Sequence, residues 1–595
     1  MRMHPLDAPF GIATPAEAAG WHDMYPHDLV FTAESRAADE TRGWVYDGIH
    51  HPKVKYPFDS VVNEAIRLAK GQWTSRVFQL PGSFGTEHRL LLGRVYVAPV
   101  SVTDERTRAA RATTFTERSA YYYRNWNRLH RRWNDRMTAL IAETAAIVPP
   151  MLPEVENNDV LTTGTPAAAS GAVIGAYHRL IEAVFTAWQY HFEMLTLGYV
   201  AYENLYRTAR HHFPGIADQQ VAELVPAVPG AQHRVDTWIG DLATAAGDHG
   251  IGELIVGHGF EAGGKVVTET EAGRRWWDRF HDAMAAWPAV TMSAGLDHTD
   301  LPLRDEPAVV WSLIGHRLKG GTAVGHEGLQ AQSDTAFHGY LNLLPDAEQR
   351  ENFEQAVRLA RRVSRFVEEH GYYVENRFHQ ELWAATRRFG RLLVNLNVLT
   401  DVDDVFCLNR WELERVLFHG VTGWAIGTGP VAAVKGLSKP VADRRRLLAV
   451  MEKWEPAAVL GSPQDSGDPV MPLLYGITGA SNEDGGLRGC PASPGVARGP
   501  VRIVADGSEL ELVRPGDIVV TTAAAPNWAT MLRTAGGLVT EVGGVMSHVA
   551  IVAREAGIPT ALGVSGATST LKTGQHVEVD GGTGTVTVVE EHDAG

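Results

Sequence analysis

The sequence predicts a multidomain protein of mixed α and α/β type. It reads as an N-terminal α+β region over 1–105, a large mainly helical domain over 106–460, a linker over 461–488 and a small β/β/α domain over 489–595. Three observations lead there. At 595 residues and 44% hydrophobic content, the chain can fill about three ordinary cores at ~150 residues each. Its middle repeats apolar residues at three-to-four spacing, the period of a helix with one buried face. Its last hundred or so residues are short β-type runs around a single helical stretch.

Composition removes several function classes. The 54 basic and 70 acidic residues give a net charge of −16, with no basic block and no aromatic-basic ladder. Nucleic acid and anionic membranes are therefore not expected partners. Only Cys407 and Cys490 are present, in unrelated contexts, so neither a disulfide framework nor a thiolate metal cluster is expected. The N-terminus lacks a basic-then-apolar signal pattern, and no apolar run approaches the ~20 residues of a membrane span. A cytoplasmic location follows as the expectation.

Residues 1–105 are rich in aromatics and prolines, with extended pieces such as Arg89 to Val97. The His50–His51 pair lacks further ligands at metal spacing and reads as turn polar groups beside a packed edge. Two long helices are expected, from about Glu105 to Ile147 and from Ala168 to His212, with Pro149, Pro150 and Pro153 between them and Pro214 ending the second. Trp126 and Trp133 in the first, and Trp188, Tyr190, Phe192, Tyr199 and Tyr202 in the second, either line an aromatic pocket or fill a core. The Gly-rich run Lys319 to Gly328 lacks phosphate-loop spacing and reads as a flexible loop.

Further along, Phe353, Val357, Ala360, Val363, Phe366 and Val367 mark one helix stripe, and Phe378, Leu382, Ala385, Phe389, Leu392, Leu396 and Leu399 mark another at alternating steps of four and three. Between these helices lies Glu368-Glu-His-Gly-Tyr-Tyr-Val-Glu. Gly461 to Arg488 is aperiodic and rich in Gly, Pro, Ser and Asp, so it reads as a linker and hinge. In the last domain, Leu538 to Val542 reads as a buried strand broken by Gly543 and Gly544. Ser547 then caps a helix that closes at Gly557 before Pro559. His548 falls in the first turn, where unpaired N–H groups and the positive end of the helix dipole favour an anion. A neutral imidazole there can attack phosphorus and carry a phosphoryl group.

The full string Gly543-Gly-x-x-Ser-His-x-Ala-Ile-Val-Ala-Arg-Glu-x-Gly-Ile-Pro resembles the phosphohistidine signature in the mobile domain of phosphoenolpyruvate-utilising enzymes. The resemblance implies that His548 is phosphorylated and that its domain swivels between two sites. It makes the main chain around Gly543, Gly544 and Ser547 and the side chain of Arg554 candidate phosphate contacts, although Arg554 can equally pair with a carboxylate. Thr521 to Leu532, with Trp528, resembles the segment flanking that histidine, and Trp528 can equally be packing. The string at Glu368, that at Asp403 (Asp-Asp-Val-Phe-Cys-Leu) and the segment Leu296-Asp-His-Thr-Asp resemble strings of the same family, while Gly43 to Phe58, more loosely, and the architecture as a whole resemble the carrier subunits of aryl phosphate synthases, which phosphorylate phenol or 4-alkylphenols such as 4-cresol.

That resemblance implies a dikinase-type phosphotransferase subunit. Its phosphoryl donor is expected on a separate ATP-grasp chain that binds ATP and Mg²⁺, because neither a P-loop nor an ATP-grasp front half is recognised before the carrier. No metal or cofactor is expected on this chain itself. A phenol must lose its proton as it attacks, so a histidine held by a carboxylate is sought as base. His370 beside Glu369, with Tyr372 and Tyr373 facing the ring, is the first candidate; His50 and His51 are the second, and Trp44 is a further substrate candidate. The alternatives are a rifampicin-type antibiotic phosphotransferase and a non-enzymatic phospho-carrier or regulatory module.

Overall fold

The structure, a computed structural model, describes residues 10, 12 and 14–589 apart from 164–168, 227–233, 320–325, 430–435, 462–486, 506–508, 510–511, 525–527, 529–531 and 533. The expected linker and the Gly-rich loop thus lie mostly outside the described residues.

Near the N-terminus, β1 (Trp44–Tyr46), β2 (Ser83–Leu91) and β3 (Arg94–Ser101) form an antiparallel sheet in the order β2-β3-β1, and β4 (Val459–Leu460) closes it beside β1. The strand just before the expected linker therefore belongs to the N-terminal sheet. Helix α1 (Val61–Gly71) lies under this sheet and also packs on the central helices. One hydrophobic core runs from Leu29, Phe58 and Val97 to Trp133, Leu180 and Phe389, and a smaller one of Trp44, Tyr46, Tyr96 and Leu460 lies on the other face of the sheet. The larger core continues across residue 105.

The body is built on α2 (Glu105–Ala145) and α3 (Ala169–His212), of 41 and 44 residues. At ~1.5 Å per residue, each spans about 60 Å. Asp104 caps α2 by accepting from the Thr107 N–H, as an N-cap carboxylate should. Smaller helices α4 (Arg234–Asp248), α5 (Glu271–Ala286) and α6 (Pro307–Leu318) build a second core of Trp276, Phe280 and Trp311. Helix α7 (Ala347–His370) packs along α3. The two approach closely at Gly198, where a Cβ would stand 2.7 Å from Val367 Cγ2.

The sequence suggested two helices separated near residue 370, but the chain does not break there. Residues Gly371–Phe378 are wound as a π helix that joins α7 directly to α8 (His379–Asn395). Within the π segment Tyr372, Glu375 and Asn376 are all buried. π turns inserted in helices recur at functional sites.

The C-terminal unit is an eight-stranded mixed sheet: β5 (Leu487–Arg488), β6 (Cys490–Ser493), β7 (Val496–Ile503), β8 (Ile518–Thr521), β9 (Gly537–Thr540), β10 (Thr560–Leu562), β11 (His576–Asp580) and β12 (Thr585–Val588), in the order β5-β12-β11-β7-β8-β9-β10-β6. The run β7-β8-β9-β10 is parallel and the flanks are antiparallel. The expected β-type run over 576–589 is a hairpin of two strands. Alternation along the strands divides the faces: Ile518, Val520 and Val539 join the unit's own core, whereas Val519 and Leu538 join the core of α4, α5 and α6. The unit is therefore docked on the helical body. Trp528 Nε1 donates to Met292 O at 2.7 Å across that junction, which is a packing role.

No helix among the described residues is long and apolar enough to cross a membrane.

Candidate functional site

The carboxyl ends of β8 and β9 lead into the loop 541–547 and then α9 (His548–Ala556), the usual ligand-facing edge of a parallel sheet. Gly543 sits at φ +120°, a conformation that side chains disfavour. Glu541 ties the loop to 568 by accepting from the Thr568 N–H and hydroxyl at 2.8 and 2.6 Å. Ser547 occupies the N-cap position, but its hydroxyl donates to Gly544 O at 2.7 Å instead of accepting from the helix. The first turn, which begins at His548, thus has no side-chain cap, and its dipole end is available to an anion. Gly557 closes the helix at φ +66° as expected. Arg554 donates to the carbonyl oxygens of Val545 (3.3 Å) and Ala492 (3.1 Å), so its guanidinium braces the turn from behind.

Residues on both flanks of His548 are seated against the helical body. Val545 and Met546 join the main core, and with Ile551 and Arg554 they line a small cavity shared with Tyr202, Tyr206, Ser364 and Glu368. Val549 and Ala550 join the second core, where Tyr372 is also buried. The docked turn therefore lies over the end of α7 and the start of the π segment.

That region holds a buried polar cluster. His370 is 1% exposed, and its Nδ1 lies 2.7 Å from Val367 O; because a carbonyl only accepts, Nδ1 carries the proton. Its Nε2 faces Glu375 Oε1 at 3.7 Å, and His191 Nε2 on α3 faces the same oxygen at 3.9 Å. The carboxylate facing His370 is thus Glu375, not the expected Glu369. Glu369 is turned to His130 (3.3 Å) and Arg365 (3.2 Å), and burial, which raises its pKa, is outweighed by those partners, leaving it below the usual value. Trp188 and Phe192 pack edgewise or tilted against His191, and Phe366 stacks on His370. Tyr373 meets Trp133 and Tyr372 edge on. Of the two tyrosines, Tyr372 is buried under the docked unit, and Tyr373 is half-buried at the wall. The helix aromatics are largely core, with a subset walling the histidines.

The N-terminal region contributes His50. Its Nδ1 lies 2.7 Å from Asp47 Oδ1. Burial lowers the imidazole pKa, yet the Asp47 charge and hydrogen bond, with help from Glu375, raise it to about 9. His50 is thus a cation near pH 7 and not a free base, and Asp47 is correspondingly held below its usual value. Because the folded pKa lies above the ordinary 6.5, the stabilisation is complete below pH ~6.5 and is lost as the pH rises through about 9. In Asp47→Asn the His50 titration followed by NMR should move down by a unit or more, the scale of losing an adjacent charge; an unmoved midpoint would refute the pairing.

His51 and Trp44, two further candidates, are structural. His51 Nε2 is 3.1 Å from Asn63 Nδ2, and burial holds its pKa well below normal. Trp44 is fully buried on the sheet, donating to Asp39 O and packing on Phe31.

The segment Leu296–Asp300 is pinned beneath the cluster by a buried charge network. Lys55 donates to Leu296 O (2.8 Å) and Asp297 (2.6 Å), Lys53 to Asp300 (2.9 Å), and His298 Nδ1 meets Asp59 at 2.8 Å. This matters for Glu375, because Gly295 approaches its carbonyl so closely that a Cβ would stand at 2.4 Å. Lys55→Met should lower stability by roughly 3–5 kcal/mol, the cost of stranding Asp297 as a buried, unpaired charge; denaturant unfolding with no loss would contradict the network's role.

Sequence reasoning missed His191, Glu375 and Asp47. A signal existed for His191, a polar residue on the buried stripe of α3, three residues after Trp188 and seven before Gly198.

Residues 513–584, which include His548, match the family model described as the PEP-utilising enzyme, mobile domain. The C-terminal unit thus carries a phosphoenolpyruvate-utiliser mobile domain. Among curated relatives, the uncharacterized phosphotransferase YvkC of Bacillus subtilis is 29% identical over 255 residues, 42% of this chain and 29% of its own length. A rifampicin phosphotransferase of Bacillus subtilis is 26% identical over 334 residues, 54% of this chain and 36% of its own. The phosphoenolpyruvate synthase of Pyrococcus furiosus is 47% identical over 100 residues, 17% of this chain and 12% of its own. In each case the match spans well under half of the relative's length.

Proposed function

We propose that this chain is a phosphotransferase that carries a phosphoryl group on His548 and delivers it to the hydroxyl of a phenol or 4-alkylphenol such as 4-cresol, giving an aryl phosphate. The observation that supports this most is the docking of both flanks of His548, through Met546 and Val549, over the aromatic-walled cluster of His370, Glu375 and His191. In the transfer, the phenol oxygen forms a bond to phosphorus as the P–N bond to His548 breaks, and the phenol proton passes to the His370–Glu375 pair. The transition state is loose, so positioning and charge do most of the work. The first turn of α9 faces the phosphoryl oxygens, and the His50 imidazolium adds positive charge beside Glu375.

The donor in this proposal is a separate ATP-grasp subunit holding ATP and Mg²⁺, and the carrier swings between it and the docked position. The pure chain with Mg²⁺ and ATP should therefore acquire no phosphate until that subunit is added; saturable self-phosphorylation would overturn this arrangement. A rifampicin-type acceptor is the second reading, favoured by three rifampicin phosphotransferases whose similarity extends over 42–54% of this chain. A non-enzymatic carrier is disfavoured by the buried catalytic-type cluster beneath the docked turn.

A further inference from the structure

We propose that His191, His370 and Glu375 form a site for a divalent transition-metal ion, of the Mn²⁺ or Zn²⁺ type. Their candidate ligand atoms all lie within 4.8 Å of one another, and all three residues are at most 9% exposed. The two Nε2 atoms stand 3.7 and 3.9 Å from the same carboxylate oxygen. These separations exceed a hydrogen bond. An ion about 2.0–2.2 Å from each donor spans at most ~4.4 Å, so these two pairs fit as they stand, while a pair at the 4.8 Å limit of the group has to close on the ion.

The orientation of His370 points the same way: its Nδ1 donates to Val367 O, which turns Nε2 toward the Glu375 carboxylate. The Nδ1–H to carbonyl contact is also how metal-ligating histidines are commonly fixed in orientation.

The scaffold is rigid and specific. His191 rides on α3, which is held close to α7 at Gly198 and Val367. Glu375 follows His370 by five residues, a spacing that a regular α helix would place on another face but that the i to i+5 winding of the π segment brings alongside. Two imidazoles and one carboxylate suit first-row divalent ions better than the oxygen-preferring Ca²⁺ or Mg²⁺. Three protein ligands leave positions open. This modifies the proposed function: with Nε2 on the ion and the proton on Nδ1, His370 would hold the metal instead of taking the phenol proton, and the ion would take the acceptor oxygen as a ligand and favour its deprotonated form, the proton leaving to solvent. That role, unlike the binding site, depends on the acceptor reading.

The test uses the full chain, stripped with chelator and titrated with MnCl₂ and with ZnCl₂ by calorimetry, with spin resonance of bound Mn²⁺. One equivalent should bind, and the spin-echo spectrum should show two imidazole nitrogens. Glu375→Gln and His191→Asn should each weaken binding by ~10²-fold or more, at or beyond the known effect of losing a supporting partner, while His178→Asn, on the exposed side of α3, should not. No saturable binding in the millimolar range, or a bound ion lacking nitrogen couplings, would overturn the site. The spectrum of the unsubstituted chain decides even if the variants fail to fold. If the ion binds as described and no phenol accepts phosphate, the site stands and the acceptor reading falls. If stripped, loaded chain transfers to phenol at full rate, the metal's role falls and the phosphotransferase reading stands.

Discussion

A His548→Ala chain should accept no phosphoryl group and should lose overall turnover. The imidazole is the nucleophile in the proposed cycle, and alanine leaves nothing at that position to form a P–N bond. In the unsubstituted chain, loaded with labelled ATP and the donor subunit, an acid-labile and base-stable phosphate should map to His548. The loop geometry should survive the substitution, because Gly543, the Ser547–Gly544 contact and the Arg554 brace hold the turn without the imidazole. Turnover retained in His548→Ala, with the protein folded, would remove the residue from the mechanism.

The second large effect is expected at His370. His370→Ala should load His548 normally, since in the proposed cycle loading occurs at a separate donor, but should slow transfer to the acceptor by ~10²-fold or more, the scale of losing a proton-accepting group. A purely structural role would instead lower stability and affect both half-reactions. His370→Gln discriminates further, since it fills much of the space and can keep a polar contact while removing the imidazole. Equal transfer rates in the unsubstituted chain and both variants would take His370 out of the reaction.

Much of this site was legible because its parts are local in sequence. The strand, the glycine turn and the helix start around His548 lie within twenty residues, and both end signals, Ser547 and Gly557, fall where the structure has them. The long helices followed from periodicity, with ends within two residues of those observed. What failed was non-local. Glu369 is adjacent to His370 in the chain, yet helical winding turns it away from that histidine to His130 and Arg365, where it is also buried. Glu375 reaches His370 only because the backbone between them adopts π winding, which no residue pattern here announces. His191 comes from a helix nearly 180 residues earlier, brought in by the close packing at Gly198. Trp44 is a substrate candidate in an aromatic, proline-rich string, but it packs into the core of the four-stranded sheet that residues 459–460 complete, and His51 is buried against Asn63. The pairing of Asp47 with His50 was within reach, since three residues separate them across a turn.

The central claim is that phosphate on His548 is delivered to an aromatic hydroxyl at the docked position. It is tested most directly by a single-turnover chase: load the full chain with ³²P, remove ATP and the donor subunit, add phenol or 4-cresol, and follow the label. The expected result is loss of label from His548 matched by its appearance in the aryl phosphate. Label that stays on the protein, or leaves only as inorganic phosphate at the same rate with and without the phenol, would contradict it.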